Sequence, residues 1–309
     1  MQTNIELKFE KSIIFKHYEI FIIKMTRAVK ITILLVVILV IGLTINQFHF
    51  STSFWKFQRY PKYYSCIHEN NANAITKIIH QSWKTKTVPD FFKNYSKSWT
   101  HYCFKDWKYM FWTDEDNLNL IQTHYPWFVN KYKEFPENIY RADVSRYFYL
   151  FHYGGIYTDL DNECLRPFEH LLKNYSLVFG AMDGQYLGTS LKEGYVQNSF
   201  MYSIPRHEFW MEMILNIYNF KPPGAVESYT GPVMLSNTIK SFRNRHINSS
   251  ELIIYPANYF NPFSWINDTF VDKICMTHNR MNNIQLQKCR SSMILKGSYV
   301  VQYHAHTWG

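Results

Sequence analysis

Along this chain, short apolar runs alternate with stretches of helical periodicity, an order that predicts an α/β domain. Ile75–Ile79 reads as a buried strand, and Val88-Pro89-Asp90 opens a helix reaching about Trp99. Trp107–Thr113 (WKYMFWT) reads as a second strand. Thr113 is placed to cap the next helix, with Asp114, Glu115 and Asp116 in its positive first turn. Ile139–His152 reads as a helix that stops before Gly154-Gly155, since glycine supplies the left-handed turn that ends a helix, and the chain then enters Ile156-Tyr157-Thr158. Leu177–Met182, Ser199–Ile204, Leu252–Tyr255 and Tyr299–Tyr303 are further strand candidates, and Glu208–Phe220 and Val233–Phe242 further helices. The alternation argues for a mostly parallel central sheet flanked by helices.

Before this pattern begins, Ile31–Ile45 (ITILLVVILVIGLTI) is uncharged and rich in β-branched residues. Such a run suits a thin membrane if Asn46–Phe50 carry it through the interface. Lys24, Arg27 and Lys30 precede it and no basic residue follows until Lys56, which places the N-terminus in the cytoplasm. No small-x-small cleavage site closes the run. The expected organisation is a cytoplasmic tail (1–30), a single-pass signal anchor (31–50), a stalk (51–73) and a lumenal globular domain (74–309). A cleaved signal peptide and a buried core helix are the competing readings, and Met25 opens a compact signal-anchor pattern of its own. The triplets at Asn94, Asn174, Asn248 and Asn267 fit the N-glycosylation acceptor and agree with a lumenal domain. Cys66, Cys103, Cys164, Cys275 and Cys289 form no C-x-x-C pair, which disfavours zinc and redox motifs and leaves disulfides open. Cys275 with Cys289 is the preferred bridge, and Cys164 is expected to remain a buried thiol.

Composition changes this picture little. At 47% apolar and 18% charged residues the chain is globular, and its 24 Tyr, 24 Phe and 9 Trp are expected mostly in the core, with sugar-stacking surfaces as the other use. The formal charge of +9 suits phosphorylated donors or anionic lipid headgroups. With no block of basic residues and no zinc-finger spacing, it does not argue for nucleic acid.

Chemistry concentrates in Arg141-Ala142-Asp143-Val144-Ser145-Arg146 and Gly154-Gly155-Ile156-Tyr157-Thr158-Asp159-Leu160-Asp161. If the second segment stays extended, Asp159 and Asp161 share a face while Leu160 turns to the core. Two carboxylates on one side can bind a hard cation, Mn2+ or Mg2+, which in turn takes up phosphate oxygens. Asp143 and Arg146 lie one helical turn apart, as an intrahelical ion pair or as ligand-holding groups on the face that leads to the acidic pair. At the far end, His304 and His306 share a face of an extended segment and offer a further metal ligand.

These residues resemble glycosyltransferase family 32, whose sugar-binding region carries an Asp-x-Asp motif and whose members include inositol phosphorylceramide mannosyltransferases, initiating α-1,6-mannosyltransferases and α-1,4-galactosyl and N-acetylglucosaminyl transferases. The resemblance runs from Lys77 to Trp308, through Lys77–Lys84 (KIIHQSWK), Phe111–Asp114, the Arg141–Asp161 block, Asn198–Met201, Tyr229–Pro232 and His304–Trp308. Thr76 stands where the family usually has proline. The resemblance implies a nucleotide-diphospho-sugar transferase (GT-A) fold, a divalent metal and retention of anomeric configuration. By the same match Asp143 and Arg146 hold the donor, Asp159 contacts ribose, sugar or metal, and Asp161 ligates the metal. His80, Gln81 and Trp83 line the nucleotide pocket, with Asn198 and Thr230 as further donor contacts. It also implies that the C-terminal His and Trp fold over the donor, with His304 as metal or diphosphate contact, His306 in reserve and Trp308 as a lid.

A metal-dependent hexosyltransferase of the Golgi or ER membrane is therefore expected, moving mannose from GDP-mannose to a sphingolipid such as inositol phosphorylceramide. A UDP-sugar-dependent α-galactosyl or N-acetylglucosaminyl transferase acting on glycolipid or glycoprotein is the alternative. From another class comes an inactive carbohydrate-binding protein of the same fold. A front-face route is favoured over double displacement, with Asp183 the first carboxylate to test as a nucleophile. The topology makes a direct prediction: glycosidase digestion of protein from a eukaryotic host will shift its band, and an unshifted, cytosolic product would remove the lumenal placement.

Overall fold

A computed structural model describes residues 75–182, 195–220, 224–246, 250–263 and 282–304, together with Val36 and Cys275. The chain divides into two units, Met1–Glu69 and Asn70–Gly309. Except for Val36 the Ile31–Ile45 run lies outside the described residues, as do Cys66 and the triplets at Asn248 and Asn267. Among the described residues no helix is long and apolar enough to cross a membrane. Asn94 and Asn174 are both exposed.

The second unit is built on a six-stranded sheet of order β2-β1-β3-β6-β5-β7. The strands are β1 (Ile78–Ser82), β2 (Lys108–Trp112), β3 (Gly155–Thr158), β5 (Leu177–Met182), β6 (Tyr195–Ser203) and β7 (Leu252–Tyr255), while β4 (Asn162–Cys164) pairs with β8 (Val300–Gln302) in a separate ladder. The longer helices are α1 (Asp90–Lys97), α2 (Asp114–His124), α3 (Asn138–Tyr153), α4 (Glu208–Asn219), α5 (Pro232–Arg245) and α6 (Asn283–Leu295). The expected mostly parallel sheet is a mixed one. Strand β1 pairs in parallel with β2 and β3, and β5 with β7, but β6 is antiparallel to both β3 and β5. Because β6 runs against its neighbours, its N-terminal half lies at the sheet edge where β1, β2 and β3 end.

The first strand starts at Ile78, three residues later than the apolar run suggests, and α1 continues into a π-helical turn, Ser98–Cys103. The turn is covered by its burial of Trp99, whose indole donates to the Asn162 carbonyl. Thr113 caps α2 through a capping box with Asp116, which satisfies two orphan N–H groups at the helix start. Helix α3 ends at Gly154 with φ of +66°, and Gly155 follows at +93°. A β-carbon at Gly155 would lie 2.4 Å from the Ile78 carbonyl oxygen, so this glycine permits β3 to lie against β1.

Strand alternation divides the core in two. Ile79, Ile156, Val178, Phe200 and Tyr202 face one side of the sheet with Trp99, Phe104 and Phe168, while Tyr157, Leu177, Phe179 and Met201 face the other with α3 and α4. Most described aromatic rings are spent in these layers, as the composition suggests. A third cluster joins Phe92, Tyr95, Leu160, Val301 and Tyr303 with Cys275 and Cys289. The preferred bridge Cys275–Cys289 is present. The expectation for Cys164 is overturned, because it is bonded to Cys103 from the π-helical turn, 61 residues away in sequence and 6.4 Å away between α-carbons.

His80 also corrects the sequence reading. It is fully buried, and its Nδ1 accepts from the Trp112 indole at 3.1 Å while its Nε2 donates to the Gly154 carbonyl at 2.8 Å. Its ring stacks on Tyr149. Burial, in spite of the bond to Gly154, lowers its pKa from 6.5 to about 4. The folded state therefore binds fewer protons than the unfolded state between those values, so this contribution is complete above pH 6.5 and is lost as pH falls toward 4. At about 1.4 kcal/mol per unit it reaches about 3 kcal/mol. In denaturant melts from pH 4 to 7, the stability of the unsubstituted protein relative to His80→Gln, which keeps one donor and one acceptor, will increase with pH by about 3 kcal/mol; a difference that does not change with pH would refute the assignment.

Candidate active site

A cavity of about 710 Å³ opens at the edge where β1, β2 and β3 end and β6 begins. Its wall includes Trp83, Asp114, Asp143, Arg146, Asp159, Asp161, Asn198 and His304. Position in the sheet brings these groups together, because the loops after three neighbouring parallel strands converge there.

The guanidinium of Arg146 organises the site. Helix geometry sets Asp143 one turn before it, and the two side chains pair at 3.0 Å, both almost fully buried. A second nitrogen of the same guanidinium lies 3.3 Å from Asp159 and donates to the Asn198 carbonyl at 2.9 Å. Its face covers the Tyr157 ring at 4.7 Å, and the Tyr157 hydroxyl donates to Asp159 Oδ1 at 2.6 Å. Asp143 accepts in turn from the Asn198 amide at 3.1 Å and from the Thr230 hydroxyl at 3.0 Å. Burial pushes the Asp143 carboxyl up to about 6, with Arg146, Thr230 and Asn198 opposing the shift. For Arg146 burial acts against the charge, but Tyr157, Asp159 and Asp143 outweigh it and keep the cation firmly charged.

Asp159 and Asp161 reach the cavity by a route other than strand alternation. They belong to a turn between β3 and β4, closed by the Asn162 N–H on the Asp159 carbonyl at 3.1 Å. Leu160 between them is buried in the third apolar cluster, as expected. The Asp159 backbone is pinned through its N–H on the Ser199 carbonyl, 2.9 Å, and through its carbonyl, which accepts from the Gln81 amide at 3.1 Å. Gln81 thus sits behind the wall as a support for Asp159, and Trp83, one of the expected pocket residues, is on the wall itself. Thr230 is fully buried and reaches the site through Asp143 and through the Tyr147 hydroxyl, which donates to its carbonyl.

A hard cation fits this place in part. Asp159 and Asp161 both border the cavity, but Asp159 Oδ1 is engaged by Arg146 and Tyr157, and among the described residues no three His, Cys, Asp or Glu side chains gather as a metal shell. His304 lies on the same wall with φ of +49°, a conformation uncommon outside glycine, and its Nε2 stands 3.2 Å from the Asn261 amide oxygen. It does not complete a shell with the two aspartates. Two carboxylate side chains by themselves suit an Mn2+ or Mg2+ site of few protein ligands. Asp183, His306 and Trp308 lie outside the described residues.

The sequence reading missed the support behind Asp161. Glu163, buried two residues later, receives Arg290 from α6 through two nitrogens, at 2.5 and 3.0 Å, and the Tyr303 hydroxyl at 2.6 Å. The Tyr303 N–H donates to the Asp161 carbonyl at 3.0 Å, and the Cys103–Cys164 bridge holds the next residue. Only the position of Glu163 beside the acidic motif hinted at this, because its partners are more than a hundred residues away. Gln197, with its amide nitrogen buried and unpartnered among the described residues, is a second cavity residue that no spacing revealed. Arg290→Met leaves Glu163 buried with a single strong donor, and a stability loss of about 2 kcal/mol is expected in urea melts, less than for a fully buried pair because Arg290 is partly exposed. A loss below the error of the melt would show that the pair does not hold this turn.

Residues 89–178 match the glycosyltransferase sugar-binding region containing the DXD motif. The mannosyl phosphorylinositol ceramide synthase CSH1 of Saccharomyces cerevisiae is 34% identical over 207 residues, covering 63% of this chain and 51% of that protein. Inositol phosphoceramide mannosyltransferase 3 of Schizosaccharomyces pombe is 37% identical over 175 residues, covering 55% of this chain and 46% of that protein. The chain thus spans about half the length of these two relatives. Among solved structures, PaToxG glycosyltransferase is similar over 73% of this chain and 89% of its own, with 13% identity and a TM-score of 0.39. The DXD turn at the wall of the cavity lies inside the matched segment, so over residues 89–178 the chain is similar to the glycosyltransferase sugar-binding region containing the DXD motif, and it shares that similarity with these relatives.

Proposed function

We propose that this chain transfers mannose from GDP-mannose to a sphingolipid acceptor such as inositol phosphoceramide, on a GT-A-type fold at the Golgi or ER membrane. The observation that carries this reading is the buried Asp143–Arg146–Asp159 cluster opening into the same cavity as Asp161. The names of the relatives supply the sugar and the lipid, and the uncharged Ile31–Ile45 run supports a membrane setting.

In this reading Arg146, fixed by its two aspartates, presents positive charge to the donor diphosphate, and Asp143 with Asn198 offers polar groups to the sugar. A divalent cation held by Asp161 with Asp159 supplies charge neutralisation for the leaving diphosphate. Each of these groups is held in place before the donor arrives, so little reorganisation accompanies the reaction. Configuration is retained by a front-face route, in which the departing phosphate oxygen accepts the proton of the attacking hydroxyl. Asp161→Ala is expected to abolish transfer and leave the melting temperature unchanged, because Asp161 sits in a turn at the cavity and contributes no side chain to the apolar clusters. A panel of nucleotide sugars assayed with Mn2+ and a phosphoinositol-containing sphingolipid checks both points. Substantial turnover in the variant would sink the metal assignment, and transfer from a UDP-sugar in place of GDP-mannose would replace the donor.

A further inference from the structure

Resting on the reading of the cavity as a nucleotide-sugar site, we propose that Asp114 and Asn117 read the base of the donor and that the base they select is guanine. The order β2-β1-β3 sets three loops in a row at the cavity edge: Asp159 after β3, Ser82-Trp83-Lys84 after β1, and Asp114 after β2. Backbone bonds join the second and third, from the Trp83 N–H to the Trp112 carbonyl at 2.9 Å and from the Asp114 N–H to the Lys84 carbonyl at 3.4 Å. Two strand spacings separate the first loop from the third, about 10 Å. A diphosphate beside Arg146 therefore has its nucleoside run along this row toward α2, past the Trp83 indole. All of these residues border one cavity.

At the end of that row stand an acceptor and a donor. The Asp114 carboxylate makes no hydrogen bond or ion pair among the described residues, and the guanidinium of nearby Arg141 is spent on the Phe135 carbonyl and on Asn138. Asp114 is exposed at the cavity rim, and what desolvation it meets there raises its carboxyl above its usual range, against the attraction of Arg141 and Lys84. Asn117 follows one turn later on the same face of α2 and is almost wholly buried. Its Oδ1 accepts from the Tyr149 hydroxyl, which orients the amide and leaves its NH2 as the group available to the cavity.

Of guanine and uracil, this pair matches guanine. Guanine carries along a single edge the O6 acceptor, the N1–H donor and the N2 amino donor. A carboxylate accepts from N1–H and N2–H together in a bidentate contact, while a neighbouring amide NH2 donates to O6. Uracil presents one N3–H between two carbonyl oxygens, so the same carboxylate gains one bond and faces a carbonyl with its second oxygen. A site built around such donors and acceptors rejects the base that leaves them unpaired.

The test is calorimetric titration of the full-length chain, in detergent micelles with Mn2+, against guanosine, inosine and uridine diphosphates. Inosine lacks only the 2-amino group. The unsubstituted protein is expected to bind guanosine diphosphate about 10-fold or more tightly than inosine diphosphate, with uridine diphosphate weaker still. In Asp114→Asn the gap between guanosine and inosine diphosphates closes, and Asp114→Ala gives the same result, each with an unchanged melting temperature. If the gap persists in both variants, the base is read elsewhere and this inference falls while the mannosyl-donor reading stands. If the unsubstituted protein binds uridine diphosphate as tightly as guanosine diphosphate, the guanine assignment and the GDP-mannose donor fall together, and absence of any nucleotide binding would remove the donor site itself.

Discussion

The buried guanidinium of Arg146 is the constraint on which the rest of the site depends. An isolated cation at this depth is prohibitively costly, so its surroundings must supply acceptors and opposite charge to its two terminal nitrogens. They do so from three elements: Asp143 on its own helix, Asp159 after β3, and the Asn198 carbonyl on β6. Satisfying one charge therefore fixes the helix against two strands that run in opposite directions. The antiparallel course of β6 is part of this solution, because it brings Asn198 to the edge where β3 ends.

The turn that carries Asp159 and Asp161 has little to hold it by itself. Its neighbours do that. Gln81 and Ser199 hold the first aspartate through the backbone, and Tyr303 holds the second. Beyond the turn, β4 is tied by a disulfide to the π-helical turn, by Glu163 to α6 and by its ladder to β8. In the chain-entropy account a bridge closing about 60 residues contributes about 4 kcal/mol by limiting the unfolded chain. An oxidising compartment suits such a design, since the strand leaving the acidic turn is itself cross-linked.

Aromatic residues divide by task. Rings such as Trp99, Phe168, Phe200 and Trp210 are fully buried and fill the two layers of the core. Others act through a polar edge: Trp112 holds His80, Tyr149 orients Asn117 and Tyr157 links Arg146 to Asp159. In these cases the ring packs into apolar surroundings while one donor sets the orientation of a polar neighbour. The polar groups at and behind the cavity wall are thereby hydrogen-bonded to one another.

Local chemistry made much of this legible in the sequence. The Gly154-Gly155 stop, the Thr113 cap, the helix carrying Asp143 and Arg146, and the strands Leu177–Met182 and Leu252–Tyr255 all follow from turn conformations, capping and side-chain period, which act over a few residues. The Asp-x-Asp pair was visible for the same reason, although it lies in a turn and not on an extended strand. What only the tertiary structure decided is which polar groups face the cavity and which stand behind it. His80, Gln81 and Trp83 are neighbours on one strand end, yet only Trp83 reaches the wall, because the pleat and the helices packed on each face assign every side chain to one side. The Cys103–Cys164 bridge, the antiparallel β3–β6 pairing and the Glu163–Arg290 pair likewise join residues 61, at least 42 and 127 positions apart. Such long-range pairings are set by the closure of the whole core, and no local pattern in the chain encodes them.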